Sequence, residues 1–296
     1  MSLYYKSFSN ICVLIGAYSL FNVSRDLYSG YSKYYTRPPK NLKDLYGPGY
    51  VLITGATDGL GLAYAHEFAS KGHDLLLLSR NSSKLDEKKQ EFEKLYQIKV
   101  KTIVFDVTKD GKGYEDLAGE LEKYQVSMLV NNAAIFNEKN LVDLSFDEIQ
   151  SLIVGNCLSP LLFSKILWTK FSKKSCEGAI VNIGSQYTER KASKICDVYF
   201  ASKNFSNICG KSLSAQTSKP KIHFVTILPG MIRTEMLRRF MKEKEVFLEG
   251  LMIEDPGYLA KQTVGCLGYE DEIYGSQRQA FMHYLYKNIV NRFFEI

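Results

Sequence analysis

The 296-residue chain lacks the cysteine and histidine spacings of small stapled or metal-bearing folds. Its six cysteines, Cys12, Cys157, Cys176, Cys196, Cys209 and Cys266, include no CxxC pair. That excludes a disulfide framework and predicts reduced thiols in a reducing compartment. His66, His73, His223 and His283 show no ligand spacing, so no metal site is expected. No basic stripe interleaved with aromatics runs along the chain, which argues against a nucleic-acid partner. Low-complexity tracts, internal repeats and a linker that would split the main domain are all missing. Hydrophobic residues at 45% against charged residues at 24% leave room for a sizeable core. The net charge of +6 is scattered among acids. It reads as a solvated surface, one that also suits anionic membranes and phosphate-bearing substrates.

Charge is also scarce near the start. Ser7–Ser24, "SFSNICVLIGAYSLFNVS", is 18 residues without a charge, between Lys6 and Arg25. That just reaches the ~17–25 residues a membrane-crossing helix needs. Ser7, Ser9, Asn10, Ser19 and Asn22 dilute its hydrophobicity. Tyr18, Phe21, Tyr28, Tyr31 and Tyr35 continue at helical spacing, as rings do at a membrane–water interface. Membrane association is the first expectation, and docking on a partner the second. A presequence is the third, opposed by having only Lys6 and Arg25 as basic residues in this region. Pro38 and Pro39 stop the helix, and "YGPGY" (Tyr46–Tyr50) turns into the main domain. Residues 1–45 are thus one unit, and residues 46–296 the other.

Beyond Gly49, strand-like and helix-like stretches alternate. Strands are predicted at Val51–Thr54, His73–Arg80, Val100–Asp106, Val126–Asn132, Gly178–Ser185 and Ile222–Gly230. Helices are predicted at Leu60–Lys71, Ser83–Tyr96, Tyr114–Tyr124, Phe146–Phe171, Tyr199–Ala215, Pro256–Gly268 and Gln277–Phe294. The pattern predicts an α/β fold, a single doubly wound parallel sheet covered on both faces. Ligands of such sheets sit at the carboxyl ends of the strands. At the first of these ends, "TGATDGLG" crowds Gly55, Gly59 and Gly61 into the strand-to-helix turn. Glycine allows close backbone approach, and a helix N-terminus attracts phosphate. The turn, with Thr54, Thr57, Asp58 and Leu60, therefore reads as a cradle for a dinucleotide pyrophosphate. A tight turn without a ligand is the alternative.

Further motifs follow in order: "NNAA" (Asn131–Ala134), Asn156, Ser185, "YFASK" (Tyr199–Lys203) and "PGMIRT" (Pro229–Thr234). In this ordered set the chain resembles the short-chain dehydrogenase/reductase family, over about Tyr50 to Gly268. "TGATDGLGLAYAHEFASKGHDLLLLSRNSSKL", the preceding apolar helix and "EDPGYLAKQTVGCLGYEDEIYGS" resemble one group within it. That group is the membrane-anchored 17β-hydroxysteroid dehydrogenases and very-long-chain 3-oxoacyl-CoA reductases. The resemblance implies a Rossmann-type fold and reduction of a lipid-like ketone, a long-chain 3-oxoacyl-CoA or a 17-ketosteroid. It also implies an endoplasmic reticulum membrane, with a mitochondrial membrane as alternative because "NRFFEI" lacks a dilysine signal. A homodimer through the long helices is expected by the same analogy.

No acid ends the second strand, where a carboxylate would hold a ribose 2′-hydroxyl. Arg80 stands there and offers a planar cation to a 2′-phosphate, so NADPH/NADP+ is the expected cofactor. By resemblance, Asp106 meets the adenine, Asn132 lies beside the cofactor backbone, Thr234 touches the nicotinamide carboxamide, and Val107, Pro229 and Gly230 also bind the cofactor. A cap on a following helix is the plainer reading of Thr234.

Ketone reduction needs a proton for the oxygen as well as a hydride for the carbon. A phenol near pKa ~10 is a poor acid at neutral pH, and a nearby ammonium lowers that value. Tyr199 and Lys203 are i,i+4 and share a helix face. The resemblance makes Tyr199 the acid and Lys203 its tuner and ribose ligand. It makes Ser185 a hydrogen-bond donor to the carbonyl and Asn156 the holder of a relay water. Two features depart from the pattern. Counted back from Tyr199, Gln186 rather than Ser185 takes the serine's place. The loop "QYTERKASKICDVY" is charged by Glu189, Arg190, Lys191, Lys194 and Asp197. Such a loop suits solvent, an anionic substrate or a protein partner. The second functional expectation is accordingly a weakly active or non-catalytic subunit of a membrane assembly.

Overall fold

Leu75–Leu78 are four consecutive leucines, all fully buried. A run apolar on both faces belongs in the middle of a parallel sheet covered by helices on each side. The computed structural model has this arrangement. It describes residues 2–109, 111–173, 177–189, 197–216, 222–241 and 253–290. The strands are β1 (Tyr50–Thr54), β2 (Leu75–Ser79), β3 (Val100–Val104), β4 (Val126–Asn131), β5 (Gly178–Ile183), β6 (Ile222–Ile227) and the short β9 (Glu272–Ile273). They form one parallel sheet in the order β3-β2-β1-β4-β5-β6-β9. A separate pair, β7 (Met231–Ile232) and β8 (Ile253–Glu254), lies beyond the carboxyl end of β6.

The order runs one way from β1 to β3 and the other way from β4 onward. The crevice opens where the direction reverses, at the carboxyl ends of β1 and β4. Two cores flank the sheet. One packs α3 (Gly59–Ser70) and the Pro256–Gly265 helix on β1, β2, β4 and β5, with Tyr64 and Phe68 fully buried. The other packs α5 (Gly111–Leu121) and α7 (Ser159–Lys173), where Phe163 meets Phe105 and Tyr114 edge-on.

All six expected strands are present, with ends shifted by up to three residues. The expected Phe146–Phe171 helix is α6 (Phe146–Ile153) and α7 joined by a π-turn at Val154–Leu158. The C-terminal helix, α11 (Gln277–Leu285), stops short of Phe294 and passes into a second π-turn at Tyr286–Val290. Strand β9 and the β7–β8 pair are additional to the predicted elements. Cys176, Cys196, the loop cations Arg190, Lys191 and Lys194, and "NRFFEI" lie outside the described residues.

The first helix, α1 (Ser2–Tyr35), is continuous over 34 residues. Pro38 and Pro39 follow its end, as expected of residues that cannot continue it. Its apolar side chains are bare: Leu14 is 68% exposed, Leu20 69% and Phe21 65%. It falls short of the apolarity that marks a membrane-crossing helix, a mark reached among the described residues only by Phe146–Lys173, which packs on the sheet. The C-terminal end of α1 is docked. Lys33 and Arg37 pair with Glu270 at 3.2 and 2.6 Å, and Lys33 Nζ also donates to the Glu272 carbonyl at 3.1 Å. Tyr34 packs on the core, and the Tyr269 hydroxyl donates to the Pro38 carbonyl at 2.8 Å.

Candidate active site

The glycine turn starts the site. Gly55 (φ +67°) and Gly59 (φ +53°) hold a backbone conformation that side chains disfavour. Gly61 is required for a different reason. A Cβ there would land on the Gly55 carbonyl oxygen and the Asn132 amide. The first turn of α3 therefore lies directly on the end of β1. Thr54 Oγ1 accepts from the backbone N–H groups of Asn132 and Ala133, both at 3.0 Å. Asn132 Nδ2 returns to the Thr54 and Gly55 carbonyls at 2.9 and 3.3 Å. Thr54 and Asn132 thus clasp β1 to β4, and Asn131 ties β4 to Pro160, Ser164 and Asn182.

A cavity of about 1240 Å³ opens above this clasp. Gly55, Thr57, Asp58, Gly59 and Leu60 form one end of it, with Arg80 and Val107 beside them. Asp58 caps α3, accepting from the Gly59 N–H at 2.7 Å. Thr57 Oγ1 and Ser79 Oγ lie 3.0 Å apart. Arg80 is exposed at the end of β2. Asp106, expected at the adenine, is not among the residues that line the cavity. Burial works to raise its carboxyl, yet hydrogen bonds from Thr108 and the charge of Arg80 outweigh burial and hold the pKa low. A glycine-lined turn, a helix N-terminus and an arginine at one end of a long cavity fit a phosphorylated dinucleotide.

The other end holds the residues expected to act on the substrate. Helix α8 (Asp197–Gln216) presents both Tyr199 and Lys203 to the cavity. Tyr199 packs edge-on against Phe136, ring centroids 5.0 Å apart, and its hydroxyl reaches Met236 Sδ at 3.9 Å. Lys203 is buried, and its Nζ donates to the Ile183 carbonyl at 2.9 Å. Desolvation lowers the Lys203 pKa to about 8.

Ser185 lines this cavity and Gln186 does not. Gln186 turns away, its Nε2 donating to the Tyr274 carbonyl at 3.1 Å and its backbone N–H to the Pro229 carbonyl at 3.0 Å. The count from the strand is therefore the one the fold follows. Ser185 is held by Asn207, which accepts from its N–H and donates to its carbonyl. Pro229, Gly230 and Thr234 line the opposite wall. Thr234 also accepts from the Leu237 N–H at 3.3 Å, capping α9 (Glu235–Met241) as its plainer reading expected.

Asn156, Thr54, Gly61 and Asp106 do not reach the cavity surface. Asn156 sits in the π-turn, 2% exposed. Its Oδ1 accepts from the Ile135 N–H at 2.7 Å, and its Nδ2 donates to the Ile135 carbonyl and Ser202 Oγ. One acceptor lone pair on Oδ1 is left for a further donor. The sequence reading missed Gln279, which grips Gly230 and Met231, and Met236, which faces Tyr199. The one local signal for Gln279 was the turn-and-cap string Gly275-Ser276 ahead of it.

The short chain dehydrogenase family model matches residues 49–245. The chain belongs to the short-chain dehydrogenase family. A very-long-chain 3-oxoacyl-CoA reductase of Caenorhabditis elegans is 34% identical to this dehydrogenase over 238 residues, 76% of this chain and 74% of that protein. A very-long-chain 3-oxoacyl-CoA reductase of Anas platyrhynchos is 26% identical, covering 81% and 76%. Among solved structures, a short-chain dehydrogenase from Sphingobium yanoikuyae in complex with NADPH is 26% identical with a TM-score of 0.65, covering 73% and 83%. A 7β-hydroxysteroid dehydrogenase shares the fold at TM-score 0.74 and 20% identity, covering 84% and 95%.

The Lys203 ammonium has a testable consequence. In the unfolded chain it keeps its proton up to pKa ~10.4. The folded chain releases that proton above about pH 8. Between the two values the unfolded state binds more protons, so stability rises with pH. The unfavourable contribution is fully present below about pH 8 and is relieved as pH approaches ~10. Urea midpoints of cofactor-free wild type and Lys203→Met, compared from pH 7 to pH 10, are expected to shift in favour of the wild type above pH 8. A pH-independent gap would count against a buried ammonium.

Proposed function

We propose that this dehydrogenase is an NADPH-dependent ketoreductase acting on long-chain 3-oxoacyl-CoA. The observation that carries the reading is the single cavity shared by Tyr199, Lys203 and Ser185 at one end and the glycine turn with Arg80 at the other. Its similarity to very-long-chain 3-oxoacyl-CoA reductases supports the substrate class.

Held by the glycine turn and Arg80, NADPH would supply the hydride for the carbonyl carbon. The Ser185 hydroxyl donates a hydrogen bond to the carbonyl oxygen and fixes its position. The Tyr199 hydroxyl delivers the proton to that oxygen as negative charge develops. The Lys203 ammonium, positive below about pH 8, stabilises the phenolate left behind. Its Nζ is anchored on the Ile183 carbonyl. Phe136 and Met236 shield the phenol and narrow its approach to water. Asn156 braces the Ile135 backbone beside the same wall.

Helix α1 is the proposed membrane contact, and the endoplasmic reticulum membrane the proposed compartment. Exposed Leu14, Leu20 and Phe21 support the contact, because so much bare apolar surface on one helix marks an interaction site. A lipid surface would place the cavity where long acyl substrates partition.

Three measurements test this reading. Full-length chain with NADPH and a long-chain 3-oxoacyl-CoA should lose the reduced-nicotinamide absorbance, and Tyr199→Phe should cut kcat by about 10²–10⁴-fold. Cofactor binding without turnover on any ketone would favour a non-catalytic subunit. Arg80→Gln should reduce the preference for NADPH over NADH by about tenfold or more, the loss of one charge-assisted contact. An unchanged preference would remove Arg80 from the 2′-phosphate. In flotation with phospholipid vesicles, the full chain should rise with lipid and a Leu14→Lys/Phe21→Lys variant should not. Equal flotation of both would refute a contact through α1.

A further inference from the structure

Between β6 and β7 the chain crosses Leu228–Gly230, and Gly230 and Met231 line the cavity. Among the described residues, Pro229 and Gly230 lie in neither sheet. Buried backbone groups still need partners, because an unpaired one costs about as much as a lost hydrogen bond. The Leu228 N–H finds the Ile273 carbonyl at 2.7 Å. The Pro229 carbonyl accepts from the Gln186 N–H at 3.0 Å. Two further groups go to one side chain. The Gly230 N–H donates to Gln279 Oε1, and Gln279 Nε2 donates to the Met231 carbonyl, each at 2.9 Å. A primary amide pairs with the chain there as a strand would.

The string Tyr274–Gln279 is shaped for this contact. Gly275 has φ +61°, and a Cβ on it would land on Gln279 Oε1. Ser276 caps α11, accepting from the Gln279 N–H at 3.3 Å. The Ser276 hydroxyl lies 2.5 Å from Glu254 Oε2, and Arg278 reaches Glu254 Oε1 at 2.8 Å. One helical turn thus grips β8 and the 229–231 wall together. Gln279 is only 5% exposed, so bulk water does not substitute for its amide. Gln186 braces the wall from the other side, joining the Pro229 and Tyr274 carbonyls.

We infer that Gln279 is a positioning residue for the nicotinamide end of the cofactor, with Gln186 as its brace. The amide of Gln279 sets the backbone of Gly230 and Met231, and that backbone forms the wall the nicotinamide meets. The inference rests on the cofactor reading above. It assigns a role to Gln186, which turns away from the cavity, and to a helix outside the residues matched by the family model.

The test separates the two ends of the cofactor. NADPH spans the cavity, whereas 2′,5′-ADP carries only the adenosine and 2′-phosphate end. Binding of both to full-length protein is measured by titration calorimetry, with urea midpoints as a fold control. Gln279→Met, close in volume and without the amide, should raise the NADPH Kd about tenfold, as expected for losing a pair of hydrogen bonds. The 2′,5′-ADP Kd should stay within about twofold. Gln186→Ala should move the NADPH Kd alone in the same direction by a smaller factor, and it serves if Gln279→Met fails to fold. Equal weakening of both ligands, or an unchanged NADPH Kd, overturns the inference and leaves the cofactor reading standing. Wild-type protein that binds neither ligand sinks the cofactor reading and the inference with it.

Discussion

The close approach of two strand ends governs the rest of the molecule. Gly61 lets α3 rest on the carbonyl of Gly55, and Thr54 and Asn132 exchange hydrogen bonds across the same gap. No side chain fits at position 61 without pushing α3 off β1. Because β1 and β4 sit at the reversal of strand order, that contact sets the floor of the cavity. Every residue assigned a chemical role stands on a strand end or helix start referred to this floor.

The site divides its polar residues between those that face the cavity and those that hold them. Tyr199, Lys203, Ser185 and Arg80 face inward. Asn156, Asn207 and Gln186 spend their amides on backbone groups close behind, and Asn132, itself on the cavity wall, does the same for Thr54 and Gly55. Asparagine and glutamine suit that work, since one amide offers both a donor and an acceptor to an N–H and C=O pair. Buried polar groups left unpaired would be costly, so these amides keep the irregular backbone of the crevice in one conformation.

Much of this was legible in the sequence. Apolar runs such as Leu75–Leu78 marked strands, and Gly55, Gly59 and Gly61 marked the crevice. The i,i+4 spacing of Tyr199 and Lys203 brought them to one cavity. Other features have no local signature. Strand β9 is two residues long, too short for a periodicity to register. The π-turn around Asn156 interrupts a pattern that reads as unbroken helix. The choice between Ser185 and Gln186 depended on how the loop folds back, and strand and helix gave different counts. Gln279 meets Gly230 across 49 residues, a pairing that only tertiary structure reveals. Even His223, solitary in sequence, lies between Tyr46 at 2.6 Å and Asp271 at 2.9 Å.

The ion pairs at Glu270 bear on how the whole dehydrogenase stands. With Lys33 and Arg37 both drawn to one carboxylate, α1 leaves the domain as a mast stepped into a socket rather than a rope on a ring. Whatever surface receives that mast also dictates which way the cavity mouth points and how far off it stands. Direction of entry for a substrate would then be decided at the root of a helix that takes no part in lining the cavity.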